Sequence, residues 1–333
     1  MLTPPVAEPG LSSEPEGASS PASRRRLWVV LAVAAVLAVV AFAIEVLRPD
    51  GPPSSPPGSW SLAPHAGLGA WVDAYDWTLE LGGPTPPVDV EDIDAMADAG
   101  IQTLYLQTSH RRSTSDVMEP ERLEELIDRA HERDLHVVAW YLPAFLDPAD
   151  DLARLVAASE LRVDGLGVDI EATDVVDVAE RNRRLLALSG DLRAAVGDDK
   201  VLAAITLSTV HTQVVNPAFW PDYPYAELAR RYDVLMPMAY WTLRTGELRA
   251  AERYVGENID RLRAVAGPDV PIHAIGGIAD DATTEDLTGL LSAIDEREAI
   301  GGSLYDWVTS TPRQWEVLQP LRTLRAFAVL LDE

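Results

Sequence analysis

The chain has 333 residues and a formal net charge of −26, because 53 acidic residues outnumber 27 Lys and Arg residues. Nearly all of this negative charge lies beyond residue 65, which argues against nucleic acid and anionic lipid headgroups as ligands of the folded part. There is no cysteine, so disulfides, thiolate metal sites and a lipid-modified Cys are excluded.

The N-terminal region divides into two segments of different composition. Residues 1–23 are rich in Pro, Ser, Gly, Ala and Glu, with almost no large apolar side chains, so we predict a disordered cytoplasmic tail. Residues 24–48 begin with three arginines and continue with an uncharged run from Leu27 to Ile44, about 27 Å long as a helix. This run predicts a single-pass anchor in the cell membrane, and the positive-inside rule places the C-terminal domain outside the cytoplasm.

Cleavage is the alternative to anchoring, because Ala41-Phe42-Ala43 fits the small-x-small pattern of a signal peptidase site. Cleavage near Ala43 would release a secreted protein, so both interpretations export the remainder of the chain. Residues 49–66 are dense in Pro, Ser and Gly and are interpreted as a semi-extended linker. We therefore assign the folded domain to residues 67–333.

The domain repeats one pattern, in which short apolar runs rich in β-branched and aromatic residues alternate with longer segments of helical periodicity. The predicted strands are Leu68 to Val72, Thr103 to Gln107, His136 to Leu142, Gly165 to Ile170, Val201 to Leu207, Val234 to Ala239, Pro271 to Ile275 and Gly302 to Asp306. The predicted helices are Val90 to Ala99, Glu119 to Glu132, Ala149 to Glu160, Val175 to Val196, Tyr225 to Tyr232, Gly246 to Val265, Thr284 to Glu298 and Pro312 to Leu324.

Eight βα units in about 265 residues are the number and size of an α/β fold of the (β/α)8 or TIM barrel class. An open doubly wound sheet is the alternative architecture. No Gly-rich phosphate loop follows any of the predicted strands, however, so the sequence favours the barrel.

The fourth predicted strand carries carboxylates within an apolar run. Successive side chains of a strand point to opposite faces, so Leu166, Val168 and Ile170 share one face, and Asp169 and Glu171 share the other with Gly167. Two acidic groups on one face of a buried parallel strand are costly unless that face opens into a polar site. A chance acidic strand end, or a helix N-cap in the residues that follow, is the alternative.

Other polar and aromatic residues follow the remaining strands, at the end of a (β/α)8 barrel where active sites lie. Aromatic faces beside hydrogen-bonding groups suit a sugar ring, whose C–H bonds stack on rings while its hydroxyls bind carboxylates and amides. The candidate substrate-binding residues are Asp73, Trp77, Gln107, Trp140, Tyr141, Met238, Trp241, Tyr305, Asp306 and Trp307.

Three of these strands resemble glycoside hydrolase family 18, which includes chitinases, endo-β-N-acetylglucosaminidases and related peptidoglycan hydrolases. The segment from Asp164 to Glu171 resembles the strand-four signature DGxDxDxE of this family. Met238-Ala239-Tyr240 resembles the Met-x-Tyr of its sixth strand, and the segment from Gly302 to Trp307 is similar to its last strand. The sequence departs from the family at Gly167, where the family has the first Asp of an inner pair, and at Trp241, where it has Asp or Asn.

The resemblance implies catalytic roles for Glu171, Asp169 and Tyr240. Glu171 would protonate the glycosidic oxygen, Asp169 would orient the 2-acetamido group that attacks the anomeric carbon, and Tyr240 would hydrogen-bond that group. A substrate-assisted retaining mechanism of this kind needs one protein acid and a neighbouring carboxylate, which an i, i+2 pair on one strand provides. The implied function is hydrolysis of an N-acetylhexosamine-containing glycan of the cell envelope, and a glycan-binding barrel without activity is the alternative.

No metal or cofactor is expected. The six histidines have no metal-ligand spacing. Asp169 and Glu171 could instead hold Mg²⁺ in an isomerase- or aldolase-like barrel, but Lys200 is the only lysine available for a Schiff base.

Arg111 and Arg112 could meet a carboxylate on the substrate or belong to a solvated loop. The sequence does not indicate an oligomeric state.

Overall fold

A computed structural model describes residues 61–198 and 200–324 of the chain. The predicted tail at 1–23, the predicted anchor at 24–48, the alternative cleavage site near Ala43 and most of the predicted linker lie outside these residues. Among the helices that the structure does describe, none is long and apolar enough to cross a membrane.

Eight parallel strands form a nearly closed barrel, which confirms the predicted α/β fold. They are β1 (Gly67–Val72), β2 (Thr103–Gln107), β3 (His136–Tyr141), β4 (Gly165–Ile170), β5 (Val201–Thr206), β6 (Val234–Pro237), β7 (His273–Ile278) and β8 (Gly301–Tyr305). The strands follow one another around the sheet, with β1 paired to β8. Two parallel bridges, Leu235 to Ile272 and Met238 to Ile275, join β6 to β7 and complete the circuit.

Helices surround the barrel and connect its strands. They are α1 (Ala74–Trp77), α2 (Leu79–Gly82), α3 (Val90–Asp98), α4 (Pro120–Glu132), α5 (Pro148–Glu160), α6 (Val178–Val196), α7 (Tyr225–Ala229), α8 (Ala251–Ala266), α9 (Thr284–Glu296) and α10 (Pro312–Leu318). A short π-helix, His211–Val215, follows β5. The sequence did not predict α1, α2 or this π-helix, because elements of four or five residues are too short to show periodicity.

Some boundaries differ from the predicted ones because capping residues decide where helices begin. The side chain of Asp177 accepts a hydrogen bond from the Glu180 N–H at 3.1 Å, so α6 begins at Val178 and not at Val175. The segment Gly246–Arg249 forms a separate 3₁₀ turn, and α8 begins after it at Ala251. Helix α10 ends at Leu318 and continues as a 3₁₀ turn, Gln319–Thr323.

Small residues on inward-facing positions make room for large aromatic side chains inside the barrel. The ring of Trp71 stacks on that of Tyr105, with centroids 4.4 Å apart and an interplanar angle of 13°. A Cβ on Gly69 would lie 2.4 Å from the Tyr105 ring, and a Cβ on Gly167 would lie 3.2 Å from the Cβ of Trp140. The interior is therefore a packed core with an aromatic layer beneath its C-terminal opening.

The first Asp of the strand-four motif has a structural position. Asp164 precedes β4, and its carboxylate accepts hydrogen bonds from the Val137 N–H at 2.7 Å and from the His131 ring at 3.1 Å. Burial opposes ionisation, but hydrogen bonds from His136, the Val137 backbone and His131 lower the pKa of Asp164 to about 2. Asp164 thus holds β3 and β4 together at the end of the barrel away from the cavity described next.

Candidate active site

A cavity of about 500 Å³ opens at the C-terminal ends of the strands. Eight of the residues expected to form the site line it: Asp73, Gln107, Trp140, Asp169, Glu171, Met238, Tyr240 and Tyr305. The others that line it are Trp71, Tyr75, His110, Arg111, Leu142, Ala172, Thr173, Asp174, Ile205 and Ile275. Each of the eight strands, or the turn that follows it, therefore contributes at least one residue to this cavity.

The alternation of β4 places its two carboxylates on the cavity side. Leu166, Val168 and Ile170 are fully buried on the outer face, whereas Asp169 and Glu171 line the cavity. Asp169 is 8% exposed, and its Oδ1 has no hydrogen-bond partner in the described part of the chain. A buried oxygen that accepts no hydrogen bond destabilises the free protein, so this Asp169 oxygen is available to accept a hydrogen bond from a ligand.

The surroundings of this pair favour protonated carboxyl groups. Burial raises the pKa of Asp169 well above its ordinary value, and the negative charge of Glu171 raises it further. Glu171 is exposed at the cavity mouth, but the cavity walls keep much of the bulk water away from its carboxyl, and this desolvation raises the pKa of Glu171 as well. Two coupled carboxyls of this kind retain a proton to higher pH, as a general acid requires.

Tyr240 faces the same carboxylates from the end of β6. Burial raises the pKa of Tyr240 well above its ordinary value, and the charges of Asp169, Glu171 and Asp306 add to the effect. The phenol is therefore a neutral hydrogen-bond donor at the cavity wall. Its ring lies beside that of Tyr305, with centroids 6.3 Å apart.

A second acidic group lies across the cavity, after β1 and β8. The carboxylate of Asp73 accepts a hydrogen bond from the Tyr305 hydroxyl at 3.2 Å, and that of Asp76 accepts one from the Asp73 N–H at 3.1 Å. Oxygens of Asp73, Asp76 and Asp306 all lie within 4.8 Å of one another, a spacing that could also hold a cation. Burial, followed by the charge of Asp73, raises the pKa of Asp76 to about 7.

Asp306 was expected to contact substrate, but it lies behind Asp73 and does not line the cavity. Its Oδ1 accepts hydrogen bonds from the Thr309 N–H at 2.9 Å and from the Thr309 hydroxyl at 2.8 Å. The carboxylate caps the turn that follows β8. Asp306 therefore acts on the site through its own negative charge, which contributes to the raised pKa values of Asp73, Asp76 and Tyr240.

Two other expected contacts belong to the outer layer of the barrel, because their strand or turn positions face away from the cavity. Trp77 is fully buried, and its indole N–H donates to the backbone oxygen of Gln107 at 2.9 Å. Tyr141 donates its hydroxyl to Asp151 at 2.8 Å and packs against α5. Both side chains stabilise the packing around the barrel, and the prediction that they contact substrate is wrong.

Trp241 and Trp307 are also displaced from the expected positions. Trp241 is fully buried beside β7, where a Cβ on Gly276 or Gly277 would lie 3.2 or 3.1 Å from its ring. Trp307 stacks on Trp315 of α10, with ring centroids 5.6 Å apart and an interplanar angle of 24°. Trp241 lies four residues beyond Pro237 and Trp307 two residues beyond Tyr305, so the turns that follow the strands direct both side chains away from the cavity.

The sequence analysis missed Trp71, which lines the floor of the cavity. One face of its indole rests on Tyr105, and its Nε1–H donates to the Ser303 hydroxyl at 2.8 Å. The hydroxyl of Ser303 also contacts His273 Nε2 at 2.9 Å, so a polar chain inside the barrel fixes the ring. Alternation on β1 was the available signal, since Trp71 and Asp73 share a face.

The sequence has no match among protein-family models or curated proteins. Among solved structures, the chain is similar to a family GH18 chitinase from Cycas revoluta, with 12% identity, coverage of 78% of this chain and 100% of that chain, and a TM-score of 0.56. It is also similar to the PgaB (BpsB) glycoside hydrolase domain from Bordetella bronchiseptica, with 15% identity, 78% and 99% coverage, and a TM-score of 0.55.

A third similar structure is the spore cortex-lytic enzyme SleL from Bacillus megaterium QM B1551, with 10% identity, coverage of 81% of this chain and 77% of that chain, and a TM-score of 0.58. At such low identities the similarity establishes the fold. The domain is a divergent (β/α)8 barrel similar to those of family 18 chitinases and related glycoside hydrolases.

Proposed function

We propose that this barrel is a glycosidase that hydrolyses an N-acetylhexosamine-containing glycan. The observation that carries the proposal is the position of Asp169 and Glu171, two carboxyls with raised pKa values on the cavity face of β4. The resemblance of β4 and β6 to family 18, and a fold shared with enzymes described as chitinases and a spore cortex-lytic enzyme, support this choice of substrate.

The proposed mechanism is retaining and substrate-assisted. Glu171, at the cavity mouth, protonates the glycosidic oxygen and later takes a proton from the attacking water. The oxygen of Asp169 that lacks a partner accepts the N–H of the 2-acetamido group, and Tyr240 donates its hydroxyl to the carbonyl of that group. The carbonyl oxygen is then held for attack on the anomeric carbon, so the protein supplies no nucleophile of its own.

The mechanism predicts different responses to two substitutions. Glu171→Gln should lower kcat/KM on an oligomeric N-acetylhexosamine glycan by about 100-fold or more, but should affect an aryl glycoside with an activated leaving group far less, because that group needs little protonation. Asp169→Asn should slow both substrates alike. Glu160→Gln, an exposed change at the far end of α5, is the control. Product analysis by mass spectrometry and NMR measures the rates and the anomeric configuration.

Three outcomes would contradict this assignment. Inversion of the anomeric centre, or cleavage of sugars that lack a 2-acetamido group, would require a second protein carboxylate, and Asp73 is the acidic residue across the cavity. Tight glycan binding without turnover by the unmodified protein, and unchanged binding by Glu171→Gln, would instead indicate a glycan-binding barrel.

We also propose that the domain acts outside the cytoplasm, tethered to the cell membrane by residues 24–48 or secreted after cleavage near Ala43. The arginine cluster before the apolar run supports this orientation. A reporter fused after Glu333 that is active only outside the cytoplasm is the expected result. A reporter active only in the cytoplasm would contradict it, and the N-terminal sequence of the mature protein separates anchor from cleavage.

A further inference from the structure

The loop between β2 and α4 carries a positive charge to the edge of an otherwise acidic cavity. Asp73, Asp169, Glu171 and Asp174 line the cavity, and among the described residues that do so Arg111 is the only Arg or Lys. His110 also lines it, but desolvation and nearby arginines lower the pKa of His110, so its ring is neutral near neutral pH. Within residues 61–198 and 200–324, Arg111 is therefore the full positive charge that a ligand in this cavity would meet.

This loop is held in place by a buried arginine beneath it. Arg154 of α5 is 5% exposed and donates hydrogen bonds to the backbone oxygens of His110, Ser113 and Ser115 at 3.1, 3.0 and 2.9 Å. Asp150 pairs with the same guanidinium at 2.8 Å. Burying an arginine is costly unless its donors are satisfied, and here they are used to fix loop backbone, so the position of Arg111 is preorganised.

Among the described residues, Asp174 is the ion-pair partner of Arg111, and this contact leaves most N–H donors of the Arg111 guanidinium available to a ligand. Arg111 Nη1 contacts the Asp174 carboxylate at 2.9 Å, and the two side chains are 48% and 36% exposed. Solvent screens such an exposed pair, which therefore holds Arg111 only weakly and can yield to a competing anion. A guanidinium has five N–H donors and binds a carboxylate through two of them at once.

We propose that Arg111 recognises a carboxylate on the glycan, so that the preferred substrate is an N-acetylhexosamine polymer bearing an acidic substituent. This inference rests on the proposed glycosidase function and names the substrate class of the same site. The carboxylates that line the cavity disfavour an anionic sugar, whereas Arg111 matches its charge, so the contact selects both the substituent and its orientation. Asp174 is the group with which the substrate carboxylate competes.

The test compares two substrates that differ only in the carboxylate. Oligomers of alternating N-acetylglucosamine and N-acetylmuramic acid are assayed beside the same oligomers whose lactyl carboxyl has been reduced to the alcohol. The unmodified protein should favour the acidic form by about tenfold or more in kcat/KM, the effect expected when one charge-assisted contact is lost. Arg111→Gln should reduce this ratio to about one, and Asp174→Asn should increase it.

Arg112→Gln is the matched control. Arg112 is the next residue, but its Nη1 donates to the Tyr75 hydroxyl at 3.0 Å, and it does not line the cavity. The control should keep the ratio of the unmodified protein, and thermal unfolding should show that all variants are folded. Equal kcat/KM values for the two oligomers, or an unchanged ratio in Arg111→Gln, would overturn the inference.

Failure of the proposed glycosidase function can be told apart from failure of this inference. If the unmodified protein cleaves neither of these oligomers nor an oligomer of N-acetylglucosamine alone, the function is wrong, and binding measured by calorimetry decides the inference. A lower Kd for the acidic oligomer that Arg111→Gln abolishes would still support it. Equal Kd values for the acidic and reduced oligomers would overturn it.

Discussion

Asp169 and Asp76 show how the position of a carboxyl within the cavity wall decides its chemistry. Asp169 is buried beside Glu171 with one oxygen unpaired, so a ligand can complete its hydrogen bonding. Asp76 is equally buried, but its oxygen already accepts the Asp73 N–H at 3.1 Å. The first carboxyl is suited to bind substrate, and the second is suited to support Asp73 and to hold a proton near neutral pH.

The raised pKa of Asp76 predicts a pH-dependent stability. Its pKa rises from 3.8 to about 7 on folding, so the native state binds the proton more tightly, and stability falls as pH rises across this interval. Through Asp76, this rise in pH lowers the free energy of unfolding by at most on the order of 4 kcal/mol. Asp76→Asn should therefore be more stable than the unmodified protein above about pH 7, but not near pH 4. Urea unfolding across this range measures it.

An exposed substitution provides the comparison for Asp76→Asn. Asp191 lies on the outer surface of α6, and Asp191→Asn should follow the stability of the unmodified protein at every pH. If Asp76→Asn and Asp191→Asn gave the same pH dependence, the raised pKa of Asp76 would be wrong.

At the scale of elements, β4 separates a packing face from a cavity face within six residues. Leu166, Val168 and Ile170 are fully buried against the helix layer. Gly167 and Asp169 point inward, and Gly167 leaves the space that the side chains of Trp140 and Ile205 occupy. The same alternation on β1 brings Trp71 under the cavity and Asp73 to its wall. Cavity-lining and core-packing positions are therefore adjacent in sequence but on opposite sides of the barrel wall.

Two neighbouring substitutions in β4 should have opposite consequences for folding. Val168→Asp places a carboxyl without partners in the outer core and should unfold the domain, with a loss of roughly 4 kcal/mol or more. Asp169→Asn replaces a carboxyl that already favours its neutral form, so the domain should remain folded while activity falls. Thermal unfolding followed by circular dichroism measures both. Similar losses of stability in the two variants would refute the assignment of the two faces.

At the scale of the whole molecule, two buried histidines lie at the end of the barrel opposite the cavity. His65 lies in the short turn Ala63–His65 before β1, and neither of its ring nitrogens has a partner among residues 61–198 and 200–324. His273 contacts the His65 backbone oxygen at 2.9 Å. Burial, followed by the charges of other histidines for His65, lowers the pKa values of His65 and His273 to about 3 and about 4.

These histidines predict that acid destabilises the barrel. Their pKa values are lower in the folded state than the ordinary 6.5, so the unfolded chain binds more protons, and stability is lost as pH falls from about 6.5 towards 4. His65→Met fills the site with an apolar side chain that does not titrate. The variant should lose less stability than the unmodified protein between about pH 7 and 4.5 in urea unfolding. An identical loss would show that His65 is not responsible.

The sequence alone determined the barrel and the position of its principal carboxyls. The alternation of short apolar runs and helical segments predicted all eight strands within a few residues, because periodicity is a local property of the chain. The strand-four pattern also placed Asp169 and Glu171 on one face. Strand ends identified Asp73, Gln107, Trp140, Met238, Tyr240 and Tyr305, which line one cavity.

Only the tertiary structure decided which aromatic side chains reach that cavity. Trp77, Tyr141, Trp241 and Trp307 lie next to strand ends but pack into the core or the helix layer, whereas Trp71 lines the floor of the cavity. The direction of a side chain after a strand depends on the turn that follows and on the neighbours that fill the space. Those neighbours come from distant parts of the chain: Arg154 fixes the loop that presents Arg111, and Asp174 meets Arg111 across the mouth. Contacts between residues so far apart in sequence leave no local pattern from which they could be predicted.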